Sequence, residues 1–224
     1  MATAVAKDGS LISIPPWVTD IHSFRRWSDS DFFPQDANTW WLRGEVWVDM
    51  SREQLYTHLD IKGEVFSVLK AIVRETRSGR VFPDGLLVTN FAADISGNPD
   101  ATFVSHESLQ SGAARQIEAK GKDGGPVEIQ GSPDMVLEVV SVSSVQKDTE
   151  VLRDAYWQAG VKEYWLVDAR MDPVNFEILR RGARGFASSR KQDGWLKSNV
   201  FGKSFRFVQT VDESENPEFI LEVR

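Results

Sequence analysis

The strongest constraint on the fold lies in residues 133–169, where two apolar strands flank one helix with short links. PDMVLEVVS (133–141) opens after a turn and then reads as a buried strand interrupted by Glu138. SVQKDTEVLRDAYWQAG (144–160) places Leu152, Ala155, Tyr156 and Ala159 at helical spacing, and Gly160 supplies the stop. EYWLVDA (163–169) is apolar again. Joined this tightly, strand, helix and strand form a crossover, so the two strands are expected to be parallel neighbours. Alternation along the first strand points Met135, Leu137 and Val139 one way and Val136, Glu138 and Val140 the other. Glu138 therefore stands between two valines on a face that ought to be dry. Such a charge finds a partner, binds a metal or stays protonated, because leaving it bare is too costly.

The rest of the chain surrounds that unit. WWLRGEVWVDM (40–50) predicts a first strand around Glu45–Asp49. Residues 52–77 predict one long helix. Ser51 and Gln54 have capping-box spacing before it, and Ile61, Val65, Val68, Leu69, Ile72 and Val73 form its apolar stripe, with Glu64 at the edge. Turns at Pro83-Asp84-Gly85 and Gly97-Asn98-Pro99 separate short strands, and residues 110–127 read as a polar loop. Strands near 174–181, 185–190, 198–208 and 217–223 close the chain as β-hairpins. Residues 1–35 are polar and proline-interrupted, with aromatic anchors at Trp17, Phe24, Trp27, Phe32 and Phe33. They predict an extension packed on a single domain formed by 36–224. The fold class is α+β or mixed α/β, a central mixed β-sheet flanked by helices.

With 224 residues and 41% hydrophobic content, the chain can bury a sizeable core. It has no apolar run of about 18 residues and no signal-peptide core, so a cytoplasmic protein without a membrane partner is expected. It has no cysteine, which excludes disulfides and thiolate metal sites. Its three scattered histidines argue against zinc, and His58, six residues before Glu64, reads as an ordinary exposed side chain, with a role behind the metal ligands or toward substrate as the other reading. The formal charge of −7 argues against coating nucleic acid through bulk charge. Residues 179–197 depart from that balance. They carry Arg180, Arg181, Arg184, Arg190, Lys191 and Lys197 against Asp193, a net +5 that leaves −12 elsewhere. The strip is either a hairpin with basic edge residues that resist aggregation or a phosphate-contacting surface.

Glu64, Asp100 and Glu138 come from three separate elements. Brought together, they could hold a hard cation such as Mg²⁺ or Mn²⁺, which takes oxygen ligands and keeps several waters. By spacing alone, pairing of Glu138 with an arginine fits at least as well.

The order of these residues, with GNPDATFVS (97–105), PDMVLEVVSVSSVQKDT (133–149) and YWQAGVKEYWLVDAR (156–170), resembles the PD-(D/E)XK nuclease superfamily. Within it the chain is similar to the bacterial Uma-type family of candidate restriction endonucleases, loosely over 12–224. The resemblance implies a restriction-endonuclease-like fold and a Mg²⁺- or Mn²⁺-dependent endonuclease hydrolysing phosphodiester bonds in DNA. By position it makes Asp100 the PD aspartate, Glu138 the acid of E-x-K and Glu64 an additional helical carboxylate. It also turns the backbone carbonyl of Val139 toward the ion. Asp134, in a second PD, shares the strand of Glu138 and is not the motif aspartate.

The chain departs from the superfamily pattern at its lysine. The position two residues after Glu138 is Val140, and the alternative helical position is Leu152. Lys147 and Arg153 remain. Lys147 is the candidate cation for the scissile phosphate, with a solvated surface lysine as the other reading. Arg180, Arg181, Arg184, Arg190 and Lys191 are the candidate DNA contacts, and a homodimer would suit cleavage of both strands. Lacking a suitable cation, the chain would be a catalytically impaired nuclease-fold module that binds DNA or a protein partner. Clustered carboxylates should raise the pKa of at least one of them in metal-free protein.

Overall fold

The computed structural model describes residues 2–5, 11–34, 37–49, 53–119 and 124–224. Ser51, the expected helix cap, lies outside them. A hairpin of β1 (Ala2–Val5) and β2 (Leu11–Ile14) precedes α1 (Ile21–Ser28). Asp20 starts that helix by accepting the Ser23 N–H at 2.7 Å, while the Ser23 hydroxyl accepts the N–H of Asp20. β3 (Asn38–Leu42) and β4 (Glu45–Asp49) follow. A π-helical turn, Leu55–Asp60, runs directly into α2 (Ile61–Thr76), so the predicted long helix is present with a widened start. Among the described residues no helix is long and apolar enough to cross a membrane.

Next come β5 (Gly79–Pro83), β6 (Leu87–Asn90), β7 (Ile95–Gly97), β8 (Ala101–Ser105), α3 (His106–Ser111), β9 (Ala114–Glu118), β10 (Pro126–Gly131) and β11 (Met135–Val139). A second π-helical turn, Lys147–Val151, opens α4 (Leu152–Gln158). β12 (Glu163–Asp168), β13 (Asn175–Gly182), β14 (Gly185–Ser188), β15 (Leu196–Lys197), β16 (Ser204–Val211) and β17 (Pro217–Val223) complete the chain.

The central sheet has the order β14-β13-β12-β11-β8-β5. β11 and β12 run parallel, as the crossover requires, and the other pairs are antiparallel, so the sheet is mixed. A second sheet, β4-β3-β7-β6-β10-β9, gathers the short strands, and β15-β16-β17 form a third. The expected polar loop at 110–127 contains β9, an edge strand of the second sheet. Its Arg115, Gln116 and Glu118 face water, as an edge strand allows, and this polarity hid it in the sequence.

The central sheet separates two cores. On one face Met135, Leu137, Val139 and Phe103 pack against Ile61, Val65 and Leu69 of α2 and Phe205 and Leu221 of the third sheet. On the other face Val136, Val140 and Tyr164 pack against Leu152, Ala155 and Tyr156 of α4 and Trp40 and Leu42 of β3. Each fully buried Leu, Val or Phe contributes roughly 1.5–3 kcal/mol. Glu138 belongs to the second face and is 3% exposed between Val136 at 0% and Val140 at 1%. In the N-terminal region Phe24 and Trp27 are buried with Trp41. Phe32, an expected anchor, is 87% exposed, because Phe33 takes the inward place against Trp27 at 4.9 Å. Trp17 is also largely exposed.

Asp134 fastens β8 to β11. Its carboxylate accepts the Ser105 N–H at 2.6 Å and the Ser108 hydroxyl at 2.9 Å, and pairs with Lys162 at 2.6 Å. Burial pushes its pKa up, but Lys162 and the serine donors outweigh burial and hold it below the usual range. The unfolded chain then takes up the proton more readily than the folded one. The stabilisation is therefore present above the ordinary aspartate pKa and is lost as pH falls through the lower folded value. Asp134→Asn is expected to cost about 1–3 kcal/mol at neutral pH. The gap from wild type should narrow below about pH 4. Urea unfolding of both proteins at neutral and acid pH checks this.

Candidate functional site

The β8–β11 register pairs Leu137 with Ala101, and one step further along the ladder Glu138 and Asp100 come side by side. The Asp100 N–H donates to the Leu137 carbonyl at 3.1 Å, and Asp100 Oδ2 accepts the Val139 N–H at 2.6 Å. Asp100 is thus fixed to the strand that carries Glu138. Glu138 Oε1 accepts the Tyr156 hydroxyl at 2.6 Å, and Glu138 Oε2 lies 3.7 Å from Lys147 Nζ. Lys147 also pairs with Asp148 Oδ1 at 2.6 Å and sits 4.8 Å over the Trp40 ring. Ser144 donates to the other oxygen of Asp148. Gly97 makes room for Trp40, since a Cβ there would lie 2.0 Å from the indole.

Lys147 is therefore a buried, paired lysine and not a solvated one. Leu152, at the alternative lysine position, fills the apolar core and offers the site no cation.

Burial is the largest influence on Glu138. The nearby Lys147 opposes it, Asp100 and Asp148 reinforce it, and the carboxyl is held well above the usual range. Burial likewise raises Asp148 against the pull of Lys147. The expected raised carboxylate is thus present, with desolvation as its main cause. Burial alone would lower Lys147, but Glu138 and Asp148 outweigh it and keep the group an ammonium. Burial and the Glu138 charge push the Tyr156 hydroxyl up, so it remains a proton donor.

The helical side of the site differs from the expectation. Glu64 Oε1 accepts the Leu221 N–H at 2.8 Å, so its carboxylate is directed to the third sheet. α2 packs on the sheet face opposite Glu138, and a residue one turn into that helix does not come round to it. Glu53 and His58, from the start of the helical segment, approach Asp100 instead. His58 is buried, contrary to expectation. Lys62, one turn after His58, is buried and bridges Glu53 Oε1 at 2.7 Å, Asp84 Oδ2 at 2.7 Å and Asp100 Oδ1 at 2.9 Å. Burial disfavours its charge, but Asp100 and Asp84 outweigh burial and raise its pKa.

These contacts give a charge imbalance. Glu53, Asp84, Asp100, Glu138 and Asp148 share two ammonium groups, Lys62 and Lys147, so full ionisation would leave three uncompensated negative charges. A cavity with about 30 Å³ of water-accessible space lies among Glu53, His58, Asn98, Asp100, Glu138 and Lys147, with Val139 in its wall. His58 Nδ1 and Asn98 Oδ1 are both buried without a hydrogen-bond partner. An excess of carboxylates and two orphaned polar atoms around one small cavity fit a divalent cation.

The basic strip is placed elsewhere. Glu138 pairs with Leu166, Leu166 with Glu177, and Glu163 with Arg180. Arg180 therefore lies about 10 Å along the sheet from the level of Glu138, away from Lys147. Arg181 stacks on Trp157 at 5.1 Å and donates to its carbonyl. Arg184, Arg190 and Lys191 are exposed and do not line the cavity.

The Uma2 family, described as "Putative restriction endonuclease", matches residues 22–205, a span that takes in every residue of this cavity. The chain belongs to the Uma2 family. A crystal structure described as a "putative nuclease belonging to DUF820", from Anabaena variabilis, has a similar fold. Its TM-score is 0.53 at 18% identity, over 73% of this chain and 83% of that one. No curated protein matches the chain. The fold of that structure agrees with the expected mixed sheet.

Because the folded chain raises the Glu138 pKa, it binds that proton more tightly than the unfolded chain does. The associated stability is present below the ordinary glutamate value and is lost as pH rises through the folded one. Glu138→Gln, which keeps the neutral shape, is expected to raise the thermal midpoint in EDTA at alkaline pH. It should also shrink the gain in midpoint on adding Mn²⁺. Differential scanning calorimetry of both proteins, with EDTA and with Mn²⁺, checks both effects.

Proposed function

We propose that this Uma2 family member is a divalent-cation-dependent endonuclease that hydrolyses phosphodiester bonds in DNA. The observation that carries the reading is the side-by-side placement of Asp100 and Glu138 with the Lys147 ammonium 3.7 Å from Glu138. Asp100, Glu138 and the Val139 carbonyl would hold Mg²⁺ or Mn²⁺, which when bound polarises the phosphodiester and acidifies a coordinated water.

The other roles belong to the side chains. The Tyr156 hydroxyl donates to Glu138 Oε1, and Oε2 lies 3.7 Å from Lys147 Nζ. Asp148 and Trp40 hold Lys147 in place as a fixed positive charge. At the scissile phosphate that charge offsets developing negative charge. Lys147 thereby supplies, from the π-helical turn before α4, the cation that Val140 and Leu152 do not provide. The apolar wall on both sides of Glu138 keeps these interactions poorly screened. A homodimer would bring two such centres to the two strands of a duplex.

One observation favours the second reading, a module that binds DNA or a protein without cutting. Lys147 is closer to Asp148, at 2.6 Å, than to Glu138, and a lysine neutralised by Asp148 stabilises phosphate poorly.

Supercoiled plasmid separates the two. The nuclease is expected to nick it with Mg²⁺ or Mn²⁺ and not with EDTA. Asp100→Ala should abolish nicking, and Lys147→Ala should slow it by about 10²–10³-fold. Plasmid retained in mobility-shift assays but left intact by folded wild-type protein would support the second reading.

A further inference from the structure

We infer that Lys70, Arg74, Arg77 and Arg80 form a phosphate-binding face, apart from the Asp100–Glu138 cavity, that takes the backbone of duplex DNA beyond the bond to be cut. The inference deepens the proposed nuclease reading and rests on it only for the position of that bond. A cavity of about 420 Å³ lies where the end of α2 turns into β5. Those four cations and His106 line it, and among the described residues no acid does. The chain as a whole carries −7, so this face runs against its overall balance. Lys70 is half-buried, 5.7 Å over the Phe66 ring. Arg74, Arg77 and Arg80 are exposed and have no ion pair among the described residues.

Two structural reasons cover part of this. Arg74 complements the C-terminal end of the α2 dipole, and Arg80 lies on β5, the edge strand of the central sheet, where a charge resists aggregation. Arg77 goes further. It ends α2 in the left-handed region, at φ 51°, where glycine or asparagine fits the backbone better. The backbone then brings the three arginines together. A Cβ on Gly79 would lie 2.2 Å from the Val104 carbonyl oxygen, so glycine lets β5 close on β8, and Arg80 comes opposite Val104 beside the helix end. Three exposed guanidiniums do not enclose a small anion. They suit a run of phosphates passing over the surface, with which they form forked hydrogen bonds and release counterions. Val104 is four residues along β8 from Asp100, roughly 14 Å. Base pairs repeat about every 3.4 Å, so phosphates about four base pairs from Asp100 reach that level.

Binding of a fluorescently labelled duplex in EDTA, followed by anisotropy over a range of NaCl concentrations, tests this without any cleavage. The triple variant Arg74→Gln/Arg77→Gly/Arg80→Gln is expected to bind more weakly and to lower the slope of log affinity against log salt by about 2–3. Arg26→Gln/Arg115→Gln/Arg224→Gln removes the same charge from exposed positions elsewhere and should leave the slope near the wild-type value. Arg77→Gly alone should lower the slope by about 1 without lowering the thermal midpoint, which a purely structural arginine would not do. Inorganic phosphate should displace the duplex no better than chloride at equal ionic strength. Failure of the wild type to bind, equal slopes in the two triple variants, or selective displacement by inorganic phosphate overturns the inference. A lowered slope in a protein that never nicks plasmid upholds this face and defeats the nuclease reading. Nicking by wild type with an unchanged slope in the first triple variant does the reverse.

Discussion

Glu138 is a carboxylate set into the dry face of the central sheet, between Val136 and Val140, with a tyrosine on one oxygen and a lysine near the other. In that place its charge has little water to solvate it, so the surroundings must answer it with donors and counter-charge. The α4 helix contributes Tyr156 and the π-helical turn before it contributes Lys147. The second sheet contributes Trp40 beneath the lysine, with Gly97 leaving space for the ring. The neighbouring strand contributes Asp100, tied to the Val139 N–H. Packing two sheets and a helix around β11 is what brings these groups to one point.

The two ends of β11 and β12 make an instructive contrast. At the opposite end Glu163 is also buried, but its oxygens accept the Ser198 hydroxyl at 2.6 Å, the Trp165 indole N–H at 3.1 Å and the Asn199 and Val200 N–H groups. Asp134 is similarly supplied by Ser105, Ser108 and Lys162. Those carboxylates are saturated and hold loops in place. The Asp100–Glu138 end has more carboxylates than cations and keeps buried His58 and Asn98 atoms without hydrogen-bond partners. Unsatisfied capacity of this kind is costly in a fold, and here it borders a cavity whose residues could hold a metal ion.

Much of this was legible in the sequence, because alternation along 133–141 and the strand–helix–strand spacing depend on local geometry alone. The parallel pairing of β11 with β12, the face on which Glu138 lies and the burial of Tyr164 and Trp165 all followed from that geometry. Long-range placement did not. Glu64 sits at the edge of an apolar stripe, but only the packing of α2 on the far face reveals that its carboxylate caps Leu221. Lys62 and His58 stand four apart on a helix and appear solvent-facing until the turn carrying Asp84 and the strand start at Asp100 close over them. A histidine followed four residues later by a lysine, His58 and Lys62, beside an apolar stripe was the available signal. The place of the basic strip was likewise not legible, since only strand direction sets Arg180 about three residues along the sheet from the level of Glu138.

The proposed function has the Asp100–Glu138 pair built around a cation. Anomalous X-ray diffraction from crystals grown with Mn²⁺ would locate that ion. A strong anomalous peak is expected within about 2.0–2.3 Å of oxygens from both Asp100 and Glu138. Manganese found only at surface carboxylates, with Lys147 moved into direct contact with Glu138 Oε2 in the same crystals, would contradict it.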